Sequence, residues 1–522
     1  MNKTFNYGSA ELTVGLCLDL VSGRLTGVLD ESVRRRIKES RGIVEEIVSS
    51  ERTVYGINTG FGPLCDTRIS APDTIALQSN ILQSHSVGVG KPVPEQISRI
   101  MMVTKIHALA QGFSGVALET IERIMLFLEQ GVSPLVPEKG SVGASGDLAP
   151  LAHLFLPLIG LGQVYYKGEI ISGAQALKLL GLEPLVLGPK EGLALINGTQ
   201  FILAYAVLGL QRLHTLLETA DISGALSLEG LMGSAQPFDV RLHQLRPFAG
   251  SILVAHRLRT MLTGSVIGKS HIDCDRVQDP YSLRCMPQVH GASRNAWLHL
   301  KELVTIELNS VTDNPILFGV DDTISGGNFH GQPLAIPLDY VTVAAAELGN
   351  IADRRCYLMI EGRFGLPKLL IEDAGLNSGF MIPQYTSAAL VTENKTYCFP
   401  ASADSIPTSL GQEDHVSMGS ISGRKLHMVL DNLEYILAIE LLYACQALDF
   451  RRPLQSAPVL EACHQLLRRH VSFARKDRVF ALDIEVLKDL IAADALPALV
   501  NQFSTQFNLQ LRQPVYERFG LY

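Results

Sequence analysis

Apolar positions recur at three- and four-residue intervals over long stretches of this chain, with little alternation at every second residue. The pattern therefore predicts helices far more than strands. Residues 98–130 read as two helices broken at Gly112-Phe113-Ser114-Gly115, and further helices are expected over 200–219, 292–311, 340–361 and 425–448. In the last of these, Leu430, Leu433, Tyr435, Ile436, Ile439, Leu441 and Leu442 leave almost no polar face, which places it inside a bundle. The expected fold is mostly α, with a long central helix bundle. Soft boundaries near Asn197 and near Phe450-Arg451-Arg452-Pro453 divide it into an N-terminal domain 1–200, a bundle 201–450 and a C-terminal helical segment 451–522.

Stretches rich in Gly, Ser, Asn and Pro separate the helices at 56–62, 140–150, 196–199, 279–287, 325–332 and 400–419. Loops held by a rigid frame are where chemistry usually sits. The most apolar run, 148–166, carries Pro150, His153, Pro157, Gly160 and Gly162, a mixture that fits a buried core segment and not a membrane span.

Composition narrows the function classes. Of 522 residues, 47% are hydrophobic and only 18% charged, which suggests surface hidden against other subunits. The net charge of −8 leaves no basic stripe for nucleic acid. Arg34-Arg35-Arg36, with Glu31, Glu39, Glu45 and Glu46 nearby, reads as a solvated helix face. The 8 cysteines form no Cys-x-x-Cys pair and the 14 histidines do not cluster at ligand spacing, so neither a disulfide framework nor a metal site is expected. The first residues lack the apolar core of a signal peptide, so a soluble cytoplasmic protein is expected. Gly88-Val89-Gly90-Lys91 reads as a turn, and phosphate-loop, zincin and hydrolase-elbow motifs are missing.

The sharpest chemistry lies in Gly140-Ser141-Val142-Gly143-Ala144-Ser145-Gly146-Asp147-Leu148-Ala149-Pro150. Its Ala-Ser-Gly alone would be no more than a glycine-rich loop capped by Asp147. The whole stretch resembles the signature of the histidine and aromatic amino-acid ammonia-lyases, which carry a 4-methylidene-imidazole-5-one group formed from these three residues. The residue types suit that chemistry. Ring closure needs the amide nitrogen of Gly146 to reach the carbonyl carbon of Ala144, and glycine has no Cβ to obstruct it. Ser145 must then lose its hydroxyl as water to leave a methylidene. The electrophile would be made by the chain itself, with no external cofactor.

Further segments carry the resemblance: Tyr55-Gly56-Ile57-Asn58-Thr59-Gly60-Phe61-Gly62, Gly192-Leu193-Ala194-Leu195-Ile196-Asn197-Gly198-Thr199, Gln278-Asp279-Pro280-Tyr281-Ser282-Leu283-Arg284-Cys285, Gly326-Gly327-Asn328-Phe329-His330-Gly331 and Gln412-Glu413-Asp414-His415-Val416-Ser417-Met418. It implies a fumarase/aspartase-like helical lyase architecture with an N-terminal electrophile-bearing domain. It also implies a homotetramer with D2 symmetry, each site being built from three chains.

Within the resemblance, Tyr55 corresponds to the base that removes the β-proton, and Arg284 offers a fork of donors to a substrate carboxylate. Asn197 and Tyr281 would lie against the electrophile formed from Ala144, Ser145 and Gly146, with Gln278 close by and Phe329 covering the site. His85 and Glu413 would face the substrate ring. A carboxylate at 413 can accept an imidazole N–H or pair with imidazolium, whereas a benzene ring would leave it unpaired. The expected reaction is therefore elimination of ammonia from L-histidine to give trans-urocanate. The alternatives are a tyrosine or phenylalanine ammonia-lyase or aminomutase using the same electrophile, and a catalytically silent helical scaffold.

Overall fold

The long apolar periodicities fold as four packed helices, Gln200–Gly230, Met286–Leu308, Gln332–Ile360 and Gly419–Asp449. The computed structural model describes residues 3–50, 52–60, 69, 71–509, 511 and 514–522. Phe61, Gly62 and Cys65 lie outside the described residues. The mostly α class and the central bundle are as expected.

The helices are longer than their apolar pattern suggests, for two reasons. Met286–Leu308 and Gln332–Ile360 begin with a proline in the first turn, where a missing N–H costs nothing. Gln200–Gly230 continues past 219 through Asp221, Ser223, Ser227 and Glu229, polar residues that are nonetheless buried. Ser223 and Ser227 donate to the two oxygens of Glu440 at 2.7 and 2.8 Å, and Arg355 pairs with the same carboxylate. Asp221 is held by Arg257 at 2.9 Å and Arg294 at 2.6 Å. Such pairs are tolerated in a core only when fully hydrogen-bonded, and they hide the helical period from a reading based on hydropathy.

The N-terminal part packs smaller helices around the start of Gln200–Gly230. Glu95–Ala110 and Leu118–Glu129 are separated at the expected break. The apolar run 148–166 divides into the helix Leu148–Phe155, a 3-10 turn Leu156–Ile159 and the strand Gln163–Tyr166. That strand is the centre of a three-stranded antiparallel sheet with Ser133–Pro134 and Glu169–Ser172. No helix among the described residues is long and apolar enough to cross a membrane.

Two expectations fail locally. Residues 88–91 are not a turn: Val89–Pro92 is a strand paired antiparallel with Pro137–Lys139. Gly88 and Gly90 admit this close partner: a Cβ would lie 3.2 Å from Lys139 O at Gly88 and 3.1 Å from Glu138 at Gly90. Nor is the arginine triplet simply solvated. Arg34 reaches Glu122 at 2.5 Å and Arg36 donates to Gly8 O at 3.0 Å, so two of the three tie the helix Glu31–Ser49 to its neighbours.

Candidate active site

The Ala144-Ser145-Gly146 loop is clamped between the starts of the two longest helices. From Gly419–Asp449 and its approach, Met418 N–H donates to Val142 O at 2.9 Å, Ser417 Oγ to Gly143 O at 3.2 Å and Ser420 Oγ to Ser141 O at 2.8 Å. From the other side, Gly198 pairs with Gly146 as a short parallel bridge. Gly198 O accepts from Asp147 N–H at 2.8 Å, and Gly198 N–H points to Ser145 O at 3.4 Å.

Two glycines are required by this clamp. Gly146 has φ +76°, and a Cβ there would sit 2.1 Å from Gly198 O. Gly143 has φ +71°, and its Cβ would lie 2.1 Å from Ser417 Oγ. Any side chain at either position would force the clamp open.

Asp147 does not cap the helix that follows it; its side chain makes no such bond. Its Oδ2 accepts instead from Phe201 N–H at 3.1 Å and Ile202 N–H at 2.9 Å, in the first turn of Gln200–Gly230. Its Oδ1 accepts from Ser141 Oγ at 2.9 Å, and Ser141 Oγ accepts from Gly143 N–H at 3.1 Å. One buried carboxyl thus joins both flanks of the tripeptide to the long helix. Burial pushes its pKa up to about 7.

Ser145 Oγ donates to Glu413 Oε1 at 2.8 Å, and Thr408 Oγ1 donates to the other oxygen at 2.9 Å. Glu413 and Thr408 border a cavity of about 270 Å³ together with Ser84, His85, Ala144, Gly146 and Leu148. His85, half-buried at the end of the helix Ala71–His85, is held by Ser84 Oγ at 3.0 Å from its Nδ1. Burial lowers its pKa, while the Glu413 charge works in the opposite direction. The structure therefore brings together Ala144, Ser145, Gly146, His85 and Glu413.

Asn197 is buried at the end of the short helix Glu191–Ile196. Its Nδ2 donates to Asn314 O at 2.8 Å, and its carbonyl accepts from the Lys105 ammonium. Lys190 pairs with Asp313 at 2.6 Å beside it. Burial pushes Lys105 down to about 7, against the pull of Asp313. Tyr55 is half-buried in a turn that Asn58 fastens, accepting from Val54 N–H at 2.8 Å and donating to Arg52 O at 2.7 Å. The neighbouring Gly56 has no room for a Cβ, which would lie 2.4 Å from Leu193 and 3.2 Å from Pro315. The Tyr55 turn thus sits against the elements that carry and hold Asn197.

The other expected residues are placed elsewhere in the chain. Arg284 donates to Gln278 Oε1 at 2.9 Å and lies 4.6 Å from the ring centroid of Tyr281, which is 70% exposed. Gln278 and Arg284 line a separate cavity of about 490 Å³, which shares no lining residue with the one at Ala144 and Glu413. Phe329 is half-buried on a loop that meets the electrophile loop through Ser417, where a Cβ on Gly331 would come within 2.8 Å of the hydroxyl. Thr408, Ser141, Ser417 and Lys105 were not singled out by sequence reasoning. Hydroxyls and a lone lysine in such segments carry no pattern of their own, although Ser141 and Ser417 lie within quoted motifs and Thr408 shortly precedes Gln412-Glu413.

Known proteins resemble this chain over most of its length. The family described as aromatic amino acid lyase matches residues 12–469. A histidine ammonia-lyase of Vibrio vulnificus (strain CMCP6) is 49% identical over 466 residues, covering 89% of this chain and 91% of the relative. One from Sorangium cellulosum (strain So ce56) is 50% identical over 491 residues, covering 92% and 95%. The crystal structure of histidine ammonia-lyase from Trypanosoma cruzi superposes with a TM-score of 0.89 at 39% identity, covering 99% of this chain and 97% of that one. Tyrosine aminomutase from Streptomyces globisporus superposes with a TM-score of 0.92 at 35% identity, covering 98% and 100%. The chain belongs to the aromatic amino acid lyase family.

Proposed function

We propose that this enzyme eliminates ammonia from L-histidine to give trans-urocanate, using an electrophile that it forms from Ala144, Ser145 and Gly146. The observation that carries the reading is the carboxylate of Glu413, set 2.8 Å from Ser145 Oγ at the cavity edge that His85 shares. The tripeptide fits the group: Gly146 is pressed against Gly198 where only hydrogen fits, and Ser145 is held at its carbonyl and its hydroxyl. Once formed, the group would supply an electrophilic carbon able to make an amine a better leaving group.

The remaining work falls to side chains. Glu413 and His85 hold the imidazole, Glu413 accepting its N–H. Tyr55 removes the β-proton, and Asn197 steadies the electrophile. Arg284, with Gln278 and Tyr281, receives the substrate carboxylate, while Phe329 covers the site.

The placement of Gln278 and Arg284 on a cavity that shares no lining residue with the one at Ala144 and Glu413 supports a homotetramer that shares its sites. So does an apolar stripe of Ile336, Tyr340 and Val343 on Gln332–Ile360, each about half exposed. The reading is tested by incubating purified protein with L-histidine and no added cofactor, and following urocanate. Turnover of tyrosine or phenylalanine in preference to histidine overturns the substrate assignment.

A further inference from the structure

The cluster beneath Asn197 has no part in the proposed reaction, yet it buries two lysines around one carboxylate. Lys105 and Lys190 are 1% and 0% exposed, and Asp313, at 3%, is the carboxylate between them. Lys190 takes Asp313 at 2.6 Å. Lys105 directs its ammonium instead to the carbonyl of Asn197. A second buried cation without its own carboxylate is expensive, so its placement calls for a use.

That use lies one residue further on. Gly198, immediately after the pinned carbonyl, is the residue against which the tripeptide rests. Its N–H faces Ser145 O and its carbonyl takes Asp147 N–H, so its two contacts bracket Gly146. Gly198 itself has φ +124° and no side chain to fix it. The peptide before it is fixed from outside through the Asn197 carbonyl by Lys105, and the Asn197 side chain is held by its Nδ2 donating to Asn314 O.

Resting on the electrophile reading above, the geometry points to Lys105 as a positioning residue for electrophile formation: by pinning Asn197 it holds the Gly198 edge against which Ala144-Ser145-Gly146 closes. Closure forms the bond from Gly146 N to the Ala144 carbonyl carbon. The carbonyl oxygen leaves as water with the amide protons of Gly146 and Ser145, giving a C=N bond. Loss of Ser145 Oγ with the Ser145 Cα proton yields the methylidene and a second water. Both losses need the backbone at Ser145 and Gly146 kept in a close-approach conformation, and misplacement by about 1 Å can slow such a reaction about 10²-fold.

The test follows intact mass after synthesis, beside activity. Wild type falls below its sequence mass by two waters. Lys105→Met leaves the Lys190–Asp313 pair neutral and removes the unbalanced charge, so the fold is retained; Lys105→Gln is a second variant with a shorter donor. In the folded fraction of both, conversion should slow by about 10²-fold, with Lys105→Arg recovering part of the rate. In molecules that do convert, activity per electrophile should stay within a few-fold of wild type. Conversion of either variant at the wild-type rate overturns the inference and leaves the lyase reading intact. A wild type that keeps its full sequence mass overturns the electrophile reading itself.

Discussion

Ser145 Oγ and Glu413 Oε1 stand 2.8 Å apart although 268 positions separate them in sequence. The hydroxyl that must leave for the methylidene to form is thus the one occupying the carboxylate proposed to bind imidazole. Dehydration would free that oxygen for a substrate N–H.

Ser145→Ala removes the hydroxyl and cannot form the methylidene. The folded protein should lose nearly all turnover, and its near-ultraviolet absorption should fall with it. Near-wild-type turnover would falsify the electrophile assignment.

Tyr55→Phe preserves ring volume in the turn that Asn58 fastens and removes only the proposed base. Its kcat should drop by about 10²- to 10⁴-fold with the two-water mass loss unchanged. A fall of less than about tenfold rules Tyr55 out as the base.

Glu413→Gln keeps the size of the side chain and removes its charge. The kcat/KM for histidine should fall by roughly ten- to a hundredfold, the cost of about 1.5–3 kcal/mol for a charge-assisted hydrogen bond. Any activity on tyrosine or phenylalanine should suffer less. Equal scaling of all three substrates would remove the basis for the histidine assignment.

Thr408→Val deletes the 2.9 Å bond to Glu413 Oε2 while leaving its shape. The KM for histidine should rise by about three- to tenfold, in line with about 0.5–1.5 kcal/mol for one hydrogen bond, and Thr408→Ser should restore it. An unchanged KM in the valine variant shows that Thr408 does not orient the carboxylate.

Asp147 gives a pH prediction. Its pKa rises from 3.8 to about 7 on folding, so between those values the folded state binds the extra proton. Its contribution to stability is fullest below the unfolded value and is lost as pH rises through about 7. At about 1.4 kcal/mol per pH unit the loss is on the order of 4 kcal/mol. Asp147→Asn should lack that slope, and its denaturation midpoint should gain on wild type between pH 4 and 8. Parallel curves for the two proteins would contradict this.

The helical class, the bundle and the loop at 140–150 were legible in sequence because each has a local signal: a 3.6-residue period, or a motif whose residue types answer to one reaction. Where polar residues lie inside the bundle, as at Asp221 and Ser223, the period faded and the helix end was placed too early. Asp147 shows the same limit at the site. Next to a glycine and before an apolar run, it looked like a local cap, yet its partners are Phe201 and Ile202, more than fifty positions on. The placement of Gln278 and Arg284 in a different cavity from Ala144 and Glu413 had no trace in the sequence, because adjacency across elements is decided by packing.

That grip of Asp147 on the first turn of Gln200–Gly230 also orders events in time. During synthesis the tripeptide emerges from the ribosome before Phe201 and Ile202 do, and until they arrive its flank has no anchor. If the electrophile forms as proposed, a nascent or truncated chain would carry the loop unconverted. On the proposed reading, a finished ring would mark a chain in which Asp147 has already met that helix.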